Sequence, residues 1–420
     1  MSSITADSLP VVPASRTRAL QLGFGLITMM AISSPQYVWT LFVKPLQATT
    51  GASLPAIQVT FTLLIVLQTF FSPAQGWLID RFSPRLLIAT GAALSGIGWI
   101  TSAYISSIYG LYLTYGLFCG FGTGIVYVGV VGLMVRWFPD RRGFAAGMVA
   151  AGYGMGAMLT TFPITAMLTS SGYQATLITF GLILGGIGVL ASLGLRAPRE
   201  GEVPVVATIK SATSVKSTEP KAMLKTPLFW LMFAMMSMMS TGGLMATAQF
   251  ANFAKEFGVA DAVVFGMAAI PFALTLDRVT NGLTRPFFGW VSDHIGRENT
   301  MALAFALEAV AITLLLIFSS NAYAFTLLTG VVFFGWGEIF SLFPSTLTDT
   351  FGTKHATTNY GLLYIAQGIG SVLGGPVAAL IHDGAGSWSP VFVLAIGLDV
   401  ITALLAFFVL KKMRRSYMAG

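Results

Sequence analysis

The chain has 420 residues, of which 55% are hydrophobic and only 9% are charged, and its mean hydropathy is +0.78. Soluble domains carry about a quarter charged residues, so this composition excludes an ordinary soluble protein or a sizeable soluble domain. The net charge of +7 does not indicate a nucleic-acid partner, because the basic residues lie at the ends of apolar runs and form no basic patch on one element.

Apolar runs long enough to cross a bilayer fill most of the chain. A helix rises about 1.5 Å per residue and the hydrocarbon layer is about 30 Å thick, so about 20 residues are needed. We identify twelve such runs, at 19–43, 56–79, 86–106, 111–137, 144–168, 175–196, 227–252, 262–290, 300–319, 324–348, 359–381 and 390–410. The sequence therefore predicts an all-α, multi-pass protein of the cell (inner) membrane with twelve transmembrane helices.

The basic residues predict the orientation. With a cytoplasmic amino terminus, Lys44 and Lys255 lie outside and Arg278 and Arg285 lie within a span, and the other 19 of the 23 basic residues lie in cytoplasmic segments. The positive-inside rule then places both termini in the cytoplasm. The predicted organisation is a cytoplasmic tail (1–18), an N-terminal six-helix bundle (19–198), a cytoplasmic linker (199–226), a C-terminal six-helix bundle (227–410) and a cytoplasmic tail (411–420).

The chain is internally duplicated. The string GWLID at 76–80 recurs 213 residues later as GWVSD at 289–293, and the polar segment 199–226 separates the two halves. A second repeat has nearly the same shift, because Gly147, Gly154 and Gly156 correspond to Gly361, Gly368 and Gly370. Small residues allow membrane helices to approach closely, and we assign these glycines a packing role.

Two six-helix halves joined by a cytoplasmic linker resemble the major facilitator architecture, in which the substrate site lies between the halves near the midplane. The loops GWLIDRFSPR at 76–85 and GWVSDHIGRE at 289–298 resemble the loop that follows the second helix of each half in that superfamily. The resemblance implies a gating lock with acidic groups at helix ends and basic loop residues, namely Asp80, Arg81, Arg85, Asp293 and Arg297.

Ionisable side chains inside predicted spans are few. Each costs about 2.5–3.5 kcal/mol on insertion scales, so they are candidates for function by default. Glu308 and Asp399 lie in spans nine and twelve, which are peripheral in the facilitator architecture, and we interpret them as packing or lipid-interface residues. The remaining candidates are Asp277, Arg278, Arg285 and Glu338.

Span eight presents a cationic face. Arg278 and Arg285 are seven residues apart, which is about two helical turns, and Asn281 lies on nearly the same stripe. A guanidinium stays protonated when desolvated and binds a carboxylate through two parallel hydrogen bonds. This face therefore predicts a carboxylate site, and an internal ion pair of Arg278 with Asp277 or Glu338 is the structural alternative.

Polar and aromatic residues of other spans are candidates for the same cavity, although a tyrosine inside a span is more often a packing residue than a ligand contact. They are Gln36, Tyr37, Trp39, Tyr127, Tyr153, Trp336, Tyr364 and Gln367. The strings around them, which are PQYVWTL, GIVYV, RWFPDRRG, AAGYGMG, TRPFFGWVSDHIGR, LFPS and NYG, resemble the oxalate:formate antiporter family.

That resemblance implies a site for small carboxylates built from Gln36, Tyr37, Tyr127, Tyr153, Trp336 and Arg285. It also shows three departures. The family's oxalate exchanger has a lysine where this chain has Gln367, a tyrosine at Phe340 and a tryptophan at Tyr364. The related monocarboxylate transporters carry a span-eight arginine in a position that Arg285 resembles.

Charge counting favours a monoanion. If Asp277 and Glu338 are ionised, they cancel Arg278 and Arg285, and a dianion would bring uncompensated charge into a low dielectric. With one acid protonated the site suits a single carboxylate such as lactate, pyruvate or formate, and the proton would travel with it. The predicted function is therefore carboxylate transport by alternating access, with proton coupling through Asp277 or Glu338.

Three alternatives stay open at this point: an oxalate:formate-type antiporter, an anion channel and a membrane-embedded enzyme. No paired-histidine metal site or phosphate-binding loop supports an enzyme, and the glycines of GFGTG and GYGMG lie inside apolar helices. We expect no cofactor and no metal. The expected partners are the carboxylate, protons and the lipid bilayer, and the expected state is a monomer.

Overall fold

The structure is a computed structural model that describes residues 14–199, 201–204 and 217–419. The predictions for residues 1–13 of the amino-terminal tail, and for residue 200 and residues 205–216 of the linker, including Lys210 and Lys216, lie outside the described residues.

Helices make up most of the first half. They are α1 Ala14–Ala31, α2 Ser34–Tyr37, α3 Trp39–Thr50, α4 Leu54–Thr69, α5 Ser72–Arg81, α6 Pro84–Ser102, α7 Ile108–Leu111, α8 Gly120–Trp137 and α9 Arg142–Leu193. A π-helical segment, Tyr112–Cys119, joins α7 to α8.

Two of the predicted spans are bent, and a break inside α9 separates two others. The helices from Ser15 to Tyr37 and from Trp39 to Thr50 meet at 46°, and α4 and α5 meet at 42°. Prolines begin α2 and α5, and a proline in the first turn starts a new helix well but does not continue the preceding one. Within α9, Gly172 has φ +81° and ψ 170°, which divides this element into two helices.

The second half contains helices and one small hairpin. They are α10 Pro220–Met223, α11 Pro227–Glu256, β1 Val263–Val264, β2 Met267–Ala268, α12 Ala269–Ile295, α13 Arg297–Ile317, α14 Ala322–Trp336, α15 Ile339–Phe351, α16 Ala356–Ala385, α17 Ser389–Leu404 and α18 Lys411–Ala419. A π-helical segment, Leu405–Leu410, joins α17 to α18.

The predicted start of span eight at residue 262 was wrong. β1 and β2 pair as an antiparallel hairpin, and α12 begins only at Ala269. Phe265 and Gly266 both have positive φ, as a two-residue hairpin turn requires, and this turn prevents helix formation through the apolar segment.

Among the described residues, seven helices are long and apolar enough to cross a membrane, or up to nine if each bent pair is one span. Each of the twelve predicted runs overlaps one helix, two or three consecutive helical segments, or one side of the Gly172 break. Twelve crossings stay a prediction, since not every run meets the length and hydropathy criteria.

The two halves are in close contact at one end, which we call the motif end because Asp80 and Asp293 lie there. In this region α9 packs on α12, and α5 packs on α16. A Cβ on Gly147 would meet the backbone of Arg285, and a Cβ on Gly361 would meet the backbone of Ser72. The packing role assigned to this glycine pair is confirmed.

Toward the opposite end, which we call the open end, the same helices separate. On α9 the side chain of Leu159 is 68% exposed, and on α12 that of Leu274 is 40% exposed. Gly154 and Gly282, which lie nearer the motif end, still contact Arg285 and Met155 across the interface. The interface between the halves is therefore closed at the motif end and open at the other.

The described part of the linker is held by local ion pairing. Both guanidinium ends of Arg196 hydrogen-bond to Glu202 at 2.6 Å, and the amide of Arg199 donates to the same carboxylate at 2.8 Å. These donors lower the pKa of Glu202 to about 2, with the Arg196 hydrogen bonds as the largest cause.

Candidate substrate site

Four tyrosines form an aromatic cluster between the halves. Tyr127 of α8 stacks on Tyr364 of α16 with ring centroids 4.9 Å apart, and its edge meets Tyr153 of α9 at 5.1 Å. Tyr37 of α2 contacts Tyr153 at 5.5 Å. The structure thus brings together tyrosines that the sequence selected from spans one, four, five and eleven.

Amide groups connect these tyrosines. The Tyr153 hydroxyl donates to Oε1 of Gln36 and to Oε1 of Gln68, the second at 3.4 Å. Nε2 of Gln68 donates to the Tyr364 hydroxyl at 3.3 Å. Sequence reasoning missed Gln68, and its signal was an amide inside the apolar second span, which also contains Gln58 and Gln75.

Arg285 lies at the base of this cluster and is 2% exposed. Its Nη1 donates to the carbonyl oxygen of Ala150 at 2.6 Å, and its Nη2 donates to Oδ1 of Asn281 at 2.8 Å. Its Cζ lies 4.5 Å from the centre of the Phe340 ring, while Nε has no hydrogen-bond partner. No acid pairs with this guanidinium among the described residues, so it retains an unneutralised charge.

The other polar groups of α12 lie at different depths. Arg278 is exposed and Asn281 is half-buried, whereas Arg285 is buried, so burial increases along this face toward the motif end. Asp277 is 5% exposed, and neither of its oxygens has a hydrogen-bond partner. The internal ion pair of Arg278 with Asp277 or Glu338 is absent among the described residues.

Span ten contributes an indole side chain and a buried acid to the candidate site. The indole Nε1 of Trp336 donates to the carbonyl oxygen of Met239 at 3.0 Å, and the indole ring lies 5.9 Å from the Phe340 ring. Glu338 lies between α14 and α15, is fully buried and has no hydrogen-bond partner. Its charge is within electrostatic range of Arg285.

Unpartnered polar atoms remain around the cluster. The hydroxyls of Tyr127 and Tyr360 and the Oε1 of Gln367 are buried without a hydrogen-bond partner, as is the Nδ2 of Asn281. Tyr360 lies 5.6 Å from Tyr364 and was also missed by sequence reasoning. By contrast, Trp39 packs on Tyr115 in a separate apolar cluster.

Acidic groups close the motif end in two similar contacts. Asp80 pairs with Arg136 and accepts from the backbone and the hydroxyl of Thr358 at 2.8 and 2.7 Å. Asp293 pairs with Arg297 at 2.6 Å and accepts from the backbone of Gly143 at 3.0 Å. Each carboxylate thereby contacts the start of a helix of the opposite half, where the helix dipole favours negative charge.

The structure pairs Asp80 with Arg136 and not with the two basic loop residues implied by the resemblance. Arg81 lies over the Trp77 ring, with Cζ 5.2 Å from its centre. Arg85 donates through Nε to the carbonyl oxygen of Leu195 at 3.2 Å. Arg136 is at the carboxyl end of α8, and only the tertiary packing brings it to the second span.

A third buried contact links the halves. Asp349 accepts from Arg142 of the first half at 2.5 Å and from Arg297 of the second half at 2.8 Å. Arg414 of α18 pairs with Glu298 at 2.6 Å and lies 3.9 Å from Asp349. The segment predicted as a C-terminal tail is therefore helical through residue 419 and contributes a buried arginine to this network.

This arrangement can hold a small anion. One buried guanidinium lies beside unpartnered hydroxyl and amide groups in an aromatic setting, at the base of an interface that is closed on one side. Two helical halves that enclose a polar site and meet through polar contacts at one end are the architecture of a secondary transporter.

Comparison with known proteins supports the assignment as a transporter. Residues 23–279 and 253–417 match the sequence model of the Major Facilitator Superfamily. The chain is 34% identical over 401 residues to the oxalate:formate antiporter of Oxalobacter formigenes, which covers 95% of this chain and 93% of that protein. The chain belongs to the major facilitator superfamily and, within it, to the oxalate:formate antiporter family.

Other matches are more distant. Human monocarboxylate transporter 11 is 23% identical, with 92% of this chain and 79% of that protein covered. A crystal structure of the facilitator FucP in its outward conformation superimposes with a TM-score of 0.65 at 18% identity, covering 93% of this chain and 98% of that chain. The latter likeness establishes the fold alone.

Proposed function

We propose that this transporter carries a small monocarboxylate, with lactate, pyruvate and formate as the candidates, together with a proton. The observation that carries the proposal is Arg285, whose charge is buried between the halves without an acidic partner. A charge-assisted hydrogen bond to a carboxylate is worth about 1.5–3 kcal/mol, and this guanidinium is the group to supply it.

Charge balance favours one negative charge on the substrate. The nearest other basic group of this face, Arg278, is exposed, and the span-eleven position that could carry a second cation holds the neutral Gln367. A monocarboxylate at Arg285 makes a neutral complex, whereas a dicarboxylate leaves a net negative charge in a low dielectric. We assign the second carboxylate oxygen to the hydroxyls of Tyr127 and Tyr360, which interact with each other and with the charge of Arg285.

Proton coupling is supported by buried acids near this cation. Glu338 is within electrostatic range of Arg285, and Asp277 is on the same helix as that arginine. A carboxylate bound at Arg285 would screen the positive charge that Glu338 senses and would so favour a proton on Glu338. Substrate and proton would then bind cooperatively, as symport requires.

The mechanism is alternating access. The motif end is closed by the Asp80, Asp293 and Asp349 contacts, and the open end leads toward Arg278. With the predicted cytoplasmic termini, this conformation faces outward. Release to the cytoplasm would require those contacts to break while the open end closes.

Counterflow of labelled formate, lactate and pyruvate in proteoliposomes tests the proposal. We expect saturable counterflow, and we expect net uptake to be faster at acidic external pH and to be accompanied by proton entry. Flux that never saturates would indicate a channel and contradict alternating access. Net uptake without any pH dependence would contradict the proton step.

A second candidate is exchange of oxalate for formate, which the similarity to the Oxalobacter formigenes antiporter favours. The same proteoliposome assay distinguishes proton-coupled monocarboxylate transport from this exchange. Oxalate that competes with labelled formate and drives its exit at a rate independent of pH would establish the antiport.

A further inference from the structure

Three carboxylic acids lie buried in the second half, away from the tyrosine cluster. Glu308 is on α13, Glu338 is between α14 and α15, and Asp399 is on α17. All three are 0% exposed, and within the described chain none of their carboxyl oxygens has a hydrogen-bond partner. Of the two interpretations of Glu308 and Asp399, the lipid-interface one was wrong, because neither residue reaches the surface, whereas their burial agrees with a packing role.

The three acids form one group. Glu308 is within electrostatic range of both Asp399 and Glu338, and Glu338 is within range of Asp399 and Arg285. Small residues let the helices meet here. A Cβ on Gly335 would lie 2.7 Å from the Cβ of Glu308, and a Cβ on Gly242 would lie 3.7 Å from Oδ1 of Asp399.

Glu338 differs from Glu308 and Asp399 in its position in the fold. It lies at the two-residue junction between α14, which ends at Trp336, and α15, which begins at Ile339, and both junction residues keep helical dihedral angles. It is within electrostatic range of Arg285 and of both other acids. The unpartnered side chain of Glu338 therefore links the acid pair to the substrate cation.

Three ionised carboxylates cannot coexist in this setting. Burying one unpaired carboxylate costs several kcal/mol even after relaxation, and neighbouring like charges add to that cost. Among the described residues, no donor forms a hydrogen bond to any of these carboxyl oxygens. Such a group is stable only if a cation occupies it, and the smallest is a proton.

We propose that Glu308, Glu338 and Asp399 form a proton-binding site inside the second half, separate from the carboxylate site. Its coupling to transport rests on the proposed function. Because Glu338 is within electrostatic range of Arg285 and of both other acids, occupancy of Arg285 by a carboxylate shifts the proton balance of the group. One proton is taken up from water for each carboxylate bound.

Two readouts test the site and its coupling separately. The first is labelling of the purified transporter with dicyclohexylcarbodiimide, which modifies protonated carboxyls in apolar surroundings, followed by mass spectrometry of each acidic position. We expect label at the cluster in the absence of substrate, and we expect this label to fall as the pH rises. The double variant Glu308→Gln with Asp399→Asn should lose the label at both positions.

The control for labelling is Glu256→Gln. Glu256 is exposed and accepts from Ser387 and Trp388, so this change removes an acid without touching the cluster. Labelling of the cluster should be unchanged in this variant. Absence of label at all three positions, or protection by sodium ions in place of high pH, would overturn the proton site.

The second readout is proton uptake when formate or pyruvate is added to weakly buffered protein. We expect uptake in the wild type and its loss in Glu338→Gln, with carboxylate binding retained. Cluster label without any uptake would leave the proton site intact and contradict the proposed symport. Uptake that persists in Glu338→Gln would overturn this coupling route and assign it to Asp277.

Discussion

At the scale of single residues, depth decides which candidates can act together. Arg278 and Arg285 share a helix face in sequence, but only Arg285 reaches the aromatic cluster, where Ala150 and Asn281 orient it. Arg278 is exposed toward the open end. Arg285 is placed to bind an anion, and Arg278 is placed to attract it as it enters.

Replacing Arg285 by glutamine should strongly weaken carboxylate binding. The change removes a charge-assisted interaction of about 1.5–3 kcal/mol, which corresponds to a loss of about 10- to 150-fold in affinity. Arg278→Gln is the matched control and should weaken binding only slightly, mainly at low ionic strength. Equilibrium binding of labelled formate measures both, and the reverse ranking would exchange the roles of the two arginines.

Introducing a cation on α16 should change the charge preference. Gln367 is 8% exposed and its Oε1 has no hydrogen-bond partner, so Gln367→Lys places a second positive charge beside the cluster. We expect oxalate to gain about tenfold or more relative to formate, from one added charged hydrogen bond. A competition assay against labelled formate measures the ratio. Unchanged selectivity would show that Gln367 does not face the substrate.

At the scale of elements, closely approaching helices determine which end of the interface is closed. α9 meets α12 through Gly147, and α16 meets α5 through Gly361, at equivalent positions of the two halves. Nothing larger than a glycine fits either contact without displacing backbone. These two contacts therefore stabilise closure of the motif end.

Gly147→Val should favour closure of the open end. The added side chain meets the backbone of Arg285, and overpacking of about 1–3 kcal/mol shifts a two-state ratio by about 5- to 150-fold. A cysteine at position 278 should then react more slowly with an impermeant maleimide. The native Cys119 is buried and does not interfere.

Gly186→Val is the control for this substitution. Gly186 lies on the same element, but a Cβ there has no neighbour within 4 Å. The reaction rate at position 278 should stay at the level of the parent protein. An equal decrease in both variants would attribute the effect to valine in a helix and not to the contact between the halves.

At the scale of the whole molecule, the motif end is one charged network across both halves. Asp349 is its centre, because it holds Arg142 of the first half and Arg297 of the second. Removing one partner of a buried ion pair costs about 3–5 kcal/mol, which is enough to change the dominant conformation. The state of this network and access to the substrate site are thereby linked.

Asp349→Asn should open the motif end. Spin labels at the exposed positions 81 and 294, one in each half, should report a longer distance than in the parent protein. Glu202→Gln is the control, because Glu202 pairs with Arg196 within one segment and does not bridge the halves. An unchanged distance in Asp349→Asn would mean that the Asp80, Asp293 and glycine contacts keep this end closed without Asp349.

The sequence by itself determined the class of fold and much of the site. Hydropathy alone placed the helices, because hydrocarbon accepts only backbone whose hydrogen bonds are satisfied internally. It also selected Arg285 and the tyrosines, since polar groups are rare in apolar spans and each is conspicuous. The sequence pattern was sufficient for those features that depend only on residues near each other in the chain.

Only the tertiary structure decided partners and depth. The hairpin at Phe265, the pairing of Asp80 with Arg136, the bridging role of Gln68 and the burial of Glu308 beside Asp399 all depend on chain segments distant in sequence. Hydropathy records how apolar a segment is but not which neighbours it meets. Whether a buried carboxylate is paired or lacks a partner is therefore set by packing, and here that packing leaves three acids free to hold protons.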